Sequence, residues 1–196
     1  MNSEGTVTRL LRDLRGGDRE AFDVLFPLVY KELRLQASKM RGRWQGDNTM
    51  DTSALVHEVY LKLVDQDHVQ AENRTHFLAL AARAMRHILC NYARDRGAVK
   101  RGGHVNKVPI DVEVRDPGDG LTHVLDRLER LEILDRALTR LEAVDERRAR
   151  IVECRFFGGM STGETAAALG ISERTVRRDW TVAQAWLQRE MKRARF

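Results

Sequence analysis

The side chains best placed to do chemistry are arginines, and the chemistry they suit is recognition of a polyanion. Residues 172–181 read Ser-Glu-Arg-Thr-Val-Arg-Arg-Asp-Trp-Thr. Val176, Trp180, Ala183 and Leu187 recur at spacings of four, three and four, which is one apolar stripe of a helix. Glu173, Arg174, Arg177, Arg178 and Thr181 fall off that stripe and face outward. A guanidinium is a planar fork of donors that fits guanine O6/N7 or a phosphate; which arginine takes which partner is not readable from the sequence. Ser172, Glu173, Arg174, Thr175, Arg177, Arg178 and Thr181 are the candidate duplex contacts. The plainer alternative is a solvated helix face with no partner.

The elements that would position these residues argue for a partner. Ser161 can cap a preceding helix, with Glu164 three residues on to complete a capping box. Gly170 can take the left-handed conformation that ends it, and Ser172 can cap the next. A helix, a tight glycine turn and a second helix with an arginine-rich N-terminal half form the pattern of a helix-turn-helix reader. Ser161 and Thr162 can add backbone contacts. Thr165 and Ala168 are small, so the core face between the two helices is thin.

Composition agrees. The chain has 196 residues, 42% of them hydrophobic, and a formal charge of +5, enough for one large or two small domains. The positive excess is local. Residues 83–107 carry seven Lys/Arg and one Asp, a net of +6, and residues 172–196 carry seven Lys/Arg and three acids, a net of +4. Two basic regions suggest two contacts with a polyanion. Cys90 and Cys154 make neither a disulfide framework nor a zinc motif. With no apolar run near 18 residues and no signal-peptide core, the expected setting is cytoplasmic.

In chain order, Val7, Leu10, Leu11 and Leu14 mark a short helix stopped by Gly16-Gly17. Asp18 caps a longer one through about Met40, which Pro27 should kink or divide. Residues 41–47 read as a loop, with Trp44 a satellite packing residue or an exposed contact, packing being favoured. Thr52 or Ser53 opens the next helix, with Leu55, Val56, Val59 and Leu63 buried and His57, Glu58 and Lys62 exposed. After a polar loop at 65–74 comes a basic helix to about residue 96. Phe77, Ala81, Ala84, Ile88 and Tyr92 form its core face, and Arg83, Arg86, His87, Asn91 and Arg94 its other faces. Residues 97–122 lose helical period, are rich in Gly and Pro, and turn acidic; they read as a linker. Leu128, Leu131, Leu134, Leu138 and Leu141 begin a second helical unit. Asp145 caps a further helix with Ile151, Val152 and Phe156 inward, ended by Gly158-Gly159. The fold class is all-α: helical domains at 1–96 and 123–196, a flexible linker at 97–122 and a C-terminal helix-turn-helix.

Taken together, these motifs resemble a bacterial sigma factor of the extracytoplasmic-function (ECF) group, the minimal two-domain members of the sigma-70 family. Asp51-Thr-Ser-Ala-Leu-Val-His-Glu-Val-Tyr-Leu-Lys-Leu resembles the family's region 2.2 helix. Residues 77–96 resemble regions 2.3 and 2.4, and residues 128–196 resemble region 4. Many members carry an acid where Ala54 stands and Gln where His57 stands, leaving Asp51 and Glu58 as the matching acids.

The resemblance implies a promoter-recognition subunit, not an enzyme. It implies core RNA polymerase as a partner, docked through Asp51, Leu55, His57, Glu58 and Lys62; on residue spacing alone Glu58 and Lys62 read as an ordinary i,i+4 pair. It implies that Asn73, Arg74, Thr75, His76, Arg83, Arg86, Arg94 and Arg96 meet the opened minus-ten element, where phosphates need cations and unstacked bases need flat surfaces. Residues 172–181 would read the minus-thirty-five element as duplex. Lys192, Arg193 and Arg195 are phosphate contacts or solubilising charge, equally. The linker would span the two elements, either through a basic polymerase channel or as a solvated spacer. An anti-sigma protein is a common regulator in the family, and no residue here demonstrates one.

The alternative is a stand-alone helix-turn-helix transcriptional regulator that binds operator DNA without polymerase. It accounts for residues 128–196 equally well and leaves 18–96 as a sensory or dimerisation domain, though nothing there suggests a ligand pocket and a basic helix at 83–101 is odd for one. A nuclease would need clustered metal ligands, and none is spaced for it; His87 and Cys90 are two ligands, not a site. No cofactor and no metal is expected.

Overall fold

In a computed structural model the described residues are 3–18, 20–43, 51–64, 71–100 and 120–194. They form α1 (Ser3–Arg15), α2 (Glu20–Arg43), α3 (Thr52–Val64), α4 (Arg74–Lys100), α5 (Gly120–Val144), α6 (Glu146–Val152), a π-helical turn (Glu153–Phe157), α7 (Thr162–Leu169) and α8 (Glu173–Arg193). Among the described residues there is no strand, and the fold is all-α as the apolar spacings predict. Trp44, the loop at 65–70, Arg195 and the linker over 101–119 lie outside the described residues.

Local signals act as the sequence predicts at most helix ends. The backbone N–H of Gly17 donates to Leu14 O, and Gly17 adopts φ 94°. Asp18 Oδ1 accepts from the Glu20 N–H at 3.0 Å. Asp145 caps α6 by accepting from the Arg148 N–H. Two boundaries differ. Pro27 does not divide α2, which runs on from Glu20 to Arg43; packing of Leu25, Val29 and Leu33 in the core outweighs the one lost backbone hydrogen bond. Helix α4 continues past residue 96 to Lys100, and α5 begins at Gly120.

Helix α4 is the centre of the molecule. One side packs on α1, α2 and α3, and another on α5, the π turn and α7. Phe77, Leu78, Ala81, Ala84 and Met85 are buried, and so are Ala82, Cys90 and Ala93 on its remaining surface. Hence one continuous core runs from Val7 to Leu187. A small satellite core of Ile151, Ala166 and Val176 sits beneath α7 and α8, thin as their small residues imply.

The π turn shifts the phase of the chain by one residue. An i→i+5 bond from the Gly158 N–H to Glu153 O closes it, adding one residue to a normal turn. Regular α spacing from Val152 would bury Phe156. Instead Phe157 is buried and Phe156 only partly so, which corrects the sequence expectation. Gly158 then passes close to α4: a Cβ there would lie 2.6 Å from Cys154 O and 2.8 Å from Ala82 Cβ.

Candidate nucleic-acid interface

The C-terminal arginines stand on a doubly capped frame. Ser161 and Glu164 form the capping box: Ser161 Oγ accepts from the Glu164 N–H at 3.2 Å, and Glu164 Oε2 accepts from the Ser161 N–H at 2.8 Å. That backbone donor is the main reason the Glu164 carboxyl is held below its ordinary pKa. Gly170 ends α7 at φ 64°, and Ser172 Oγ accepts from the Thr175 N–H to start α8. Val176, Ala183 and Leu187 are buried, and Trp180 is half-buried. Ser172, Glu173, Arg174, Arg177, Arg178 and Thr181 are exposed, and Thr175 is half-buried. Arg177 pairs with Glu173 one turn earlier at 3.0 Å, a solvent-exposed pair of small value. Thr181 Oγ1 donates to Arg177 O.

The basic residues of α4 are arranged differently. Arg86 is buried, although the sequence reading puts it toward DNA. It donates from Nε to Asp135 Oδ1 at 3.0 Å, from Nη1 to Glu153 Oε1 at 2.7 Å and from Nη2 to Thr139 Oγ1 at 3.1 Å. Burial alone would lower its pKa, but Glu153 and Asp135 together raise it, so the cation is firmly held. Arg83 lies 3.6 Å from Glu142, and Arg94 bonds Asn91 and lies 3.9 Å from Asp135. All three arginines therefore lie against acids, and Arg86 is enclosed by the C-terminal half. The side chain of Arg96 lies outside the described residues.

At the start of α4 the four expected residues are brought together. Asn73 Oδ1 accepts from the His76 N–H at 2.9 Å and from Thr75 Oγ1 at 2.7 Å, so Asn73 is a helix cap. Arg74 bonds Glu32 of α2 from Nε at 3.0 Å. His76 Nδ1 accepts from the Glu72 N–H.

Asp51, just before α3, and His57 on it are exposed, and Glu58 and Lys62 are half-buried. Leu55 is core at 1% exposure, although the sequence reading sets it toward a partner. Among the described residues Glu58 and Lys62 do not pair, despite their spacing. Leu61 is exposed beside them, a position the sequence reading passed over.

A family model, ECF sigma factor, matches residues 4–193. The chain belongs to the ECF sigma factor family. No similar curated protein was found. Members of this family are transcription initiation factors that act with RNA polymerase on promoter DNA. Among the described residues of this sigma factor there is no group of His, Cys, Asp and Glu able to hold a metal ion, and no helix long and apolar enough to cross a membrane.

Three features of the sigma factor were missed in the sequence. Asp179 is fully buried on the inner side of α8; its only signal is an acid one residue before Trp180 on the apolar stripe. Glu153 is buried on the π turn, where regular helix phase gives no warning. Arg155 lies 5.0 Å from the Trp180 ring centre and donates to Thr162 Oγ1, which ties the π turn to α7 and α8.

Proposed function

We propose that this sigma factor binds core RNA polymerase through the outer face of α3, engages the opened minus-ten element with the basic surface of α4 and the residues at its start, and reads the minus-thirty-five element with α8. The observation that carries the reading is the set of outward arginines on α8, held by two intact helix caps, in a chain of this family. The N-terminal half of such a helix reaches base edges in the major groove. Asp51, His57, Glu58, Lys62 and Leu61 form the polymerase face; Leu55 supports it. Asn73, Arg74, Thr75, His76, Arg83, Arg94 and Arg96 form the single-strand surface. Arg86 joins it only once the C-terminal half has moved off α4. That separation also suits two readers that must reach DNA elements far apart. The reading makes the chain a non-enzymatic initiation factor.

The test is co-elution of the purified chain with bacterial core RNA polymerase on a sizing column at moderate salt, where nonspecific attraction of a basic protein is screened. A stoichiometric complex, lost when Glu58 and Lys62 are replaced by Ala, supports the reading. Duplex DNA binding without any complex would favour the stand-alone regulator.

A further inference from the structure

Asp179 is a carboxylate with no exposure, between buried Val176 and buried Ala183 on α8. Such a group is tolerated only when its charge is answered, and here two arginines answer it from different elements. Arg147 of α6 donates from Nε to Oδ2 at 2.9 Å, with Nη2 also at 2.9 Å. Arg178 donates from Nε to Oδ1 at 3.0 Å. Burial would raise the Asp179 carboxyl's pKa, but the two guanidinium groups outweigh it and hold the acid ionised.

The three arginines in the N-terminal half of α8 are therefore not equivalent. Arg174 has no partner among the described residues, and Arg177 has an exposed one in Glu173. Only Arg178 is anchored to a buried group, and the bond uses Nε. Its two terminal nitrogens bond no described residue, and the side chain is 67% exposed. A guanidinium anchored at Nε presents its terminal pair of donors with little rotamer freedom left to lose. That pair matches guanine O6 and N7. Arg147, half-exposed, shares the same carboxylate, so its charge lies beside that of Arg178.

Resting on the reading of α8 above, we propose that Asp179 is the positioning residue of this reader: it fixes Arg178 for bidentate contact with a guanine and brings Arg147 into the DNA surface as a phosphate contact.

The test uses the full chain bound to core RNA polymerase and a pool of duplexes randomised over the upstream element. The unaltered protein should select a guanine at a defined position. Arg178→Ala should abolish that preference, and Asp179→Asn should weaken it about tenfold at the same position. Asp179→Asn in the Arg178→Ala background should cause no further loss of preference, whereas a purely structural role would add its own. Arg147→Ala should weaken binding to every sequence alike and lower the salt slope by about one, leaving base preference unchanged. A preference that responds to Arg178→Ala but not to Asp179→Asn overturns the inference and leaves the reading intact. A preference indifferent to Arg178→Ala overturns both for this residue. Should Asp179→Asn unfold the protein, Arg178→Lys decides. It keeps the charge but replaces the planar fork, anchored at Nε, with a compact point charge on a flexible stem, so undiminished guanine preference overturns the inference.

Discussion

Arg86 of α4 lies 2.7 Å from Glu153 of the π turn, with both side chains 2% exposed. The two come from opposite halves of the chain. Asp135 and Thr139 of α5 complete the shell around the guanidinium, and Arg150 takes the other oxygen of Glu153 at 3.2 Å. An arginine on the helix read as facing the opened strand thus has its charge already matched. Offering it to DNA requires the halves to part and both ions to be rehydrated.

Removing one partner of this pair should be expensive. Arg86→Ala leaves Glu153 buried with Arg150 alone, and the expected loss is about 3 kcal/mol, near the lower end for a broken buried pair. Urea unfolding measures it. The double change Arg86→Met with Glu153→Leu should cost less than the sum of its single changes, because no unmatched ion remains.

Salt dependence separates the arginines of α4. Binding of the free protein to a single-stranded oligonucleotide should lose about 0.7 of salt slope for each phosphate contact removed. Arg83→Ala and Arg94→Ala, at half-exposed and exposed positions, are each expected to do so. Arg86→Ala should change the slope little while the halves stay packed. An equal effect of all three would mean that α4 is uncovered in solution.

Two glycines should fail for different reasons. Gly158→Ala drives a Cβ against Cys154 O and Ala82 Cβ, and overpacking of that kind costs about 1–3 kcal/mol. Gly170→Ala meets nothing within 4 Å but holds φ at 64°, for a cost of about 1–2 kcal/mol. Denaturation midpoints report both. Only the Gly158 change should also loosen the two halves, read as a larger radius of gyration in solution scattering.

Acid should weaken the C-terminal unit first. The Glu164 and Asp179 carboxyls are both held below their ordinary range. A depressed folded pKa stabilises fully above the unfolded value, about 4, and that stability is lost as pH falls through the folded value. Thermal melts between pH 6 and pH 2 should therefore show a falling midpoint below about pH 4. The fall should be shallower in Glu164→Gln, whose starting stability is lower. An unchanged slope in that variant would remove the capping box as a source of it.

The sequence by itself determined the helices, their caps and the outward arginines of α8. These depend on interactions between residues three to five apart: Ser161 with Glu164, the left-handed turn at Gly170, the stripe from Val176 to Leu187. Local spacing also placed His57 outside and Val59 inside. Only the tertiary structure decided what α4 is packed against. Arg86 reads as a surface cation because nothing within a few residues neutralises it; its acids stand 49 and 67 positions away. Asp179 has a neighbour, Arg178, as one partner, but its other, Arg147, is 32 positions distant, and Phe157 is exchanged with Phe156 by one extra residue in a turn. Helical period reveals which face is apolar. Where an ion is buried depends on which distant element supplies the opposite charge.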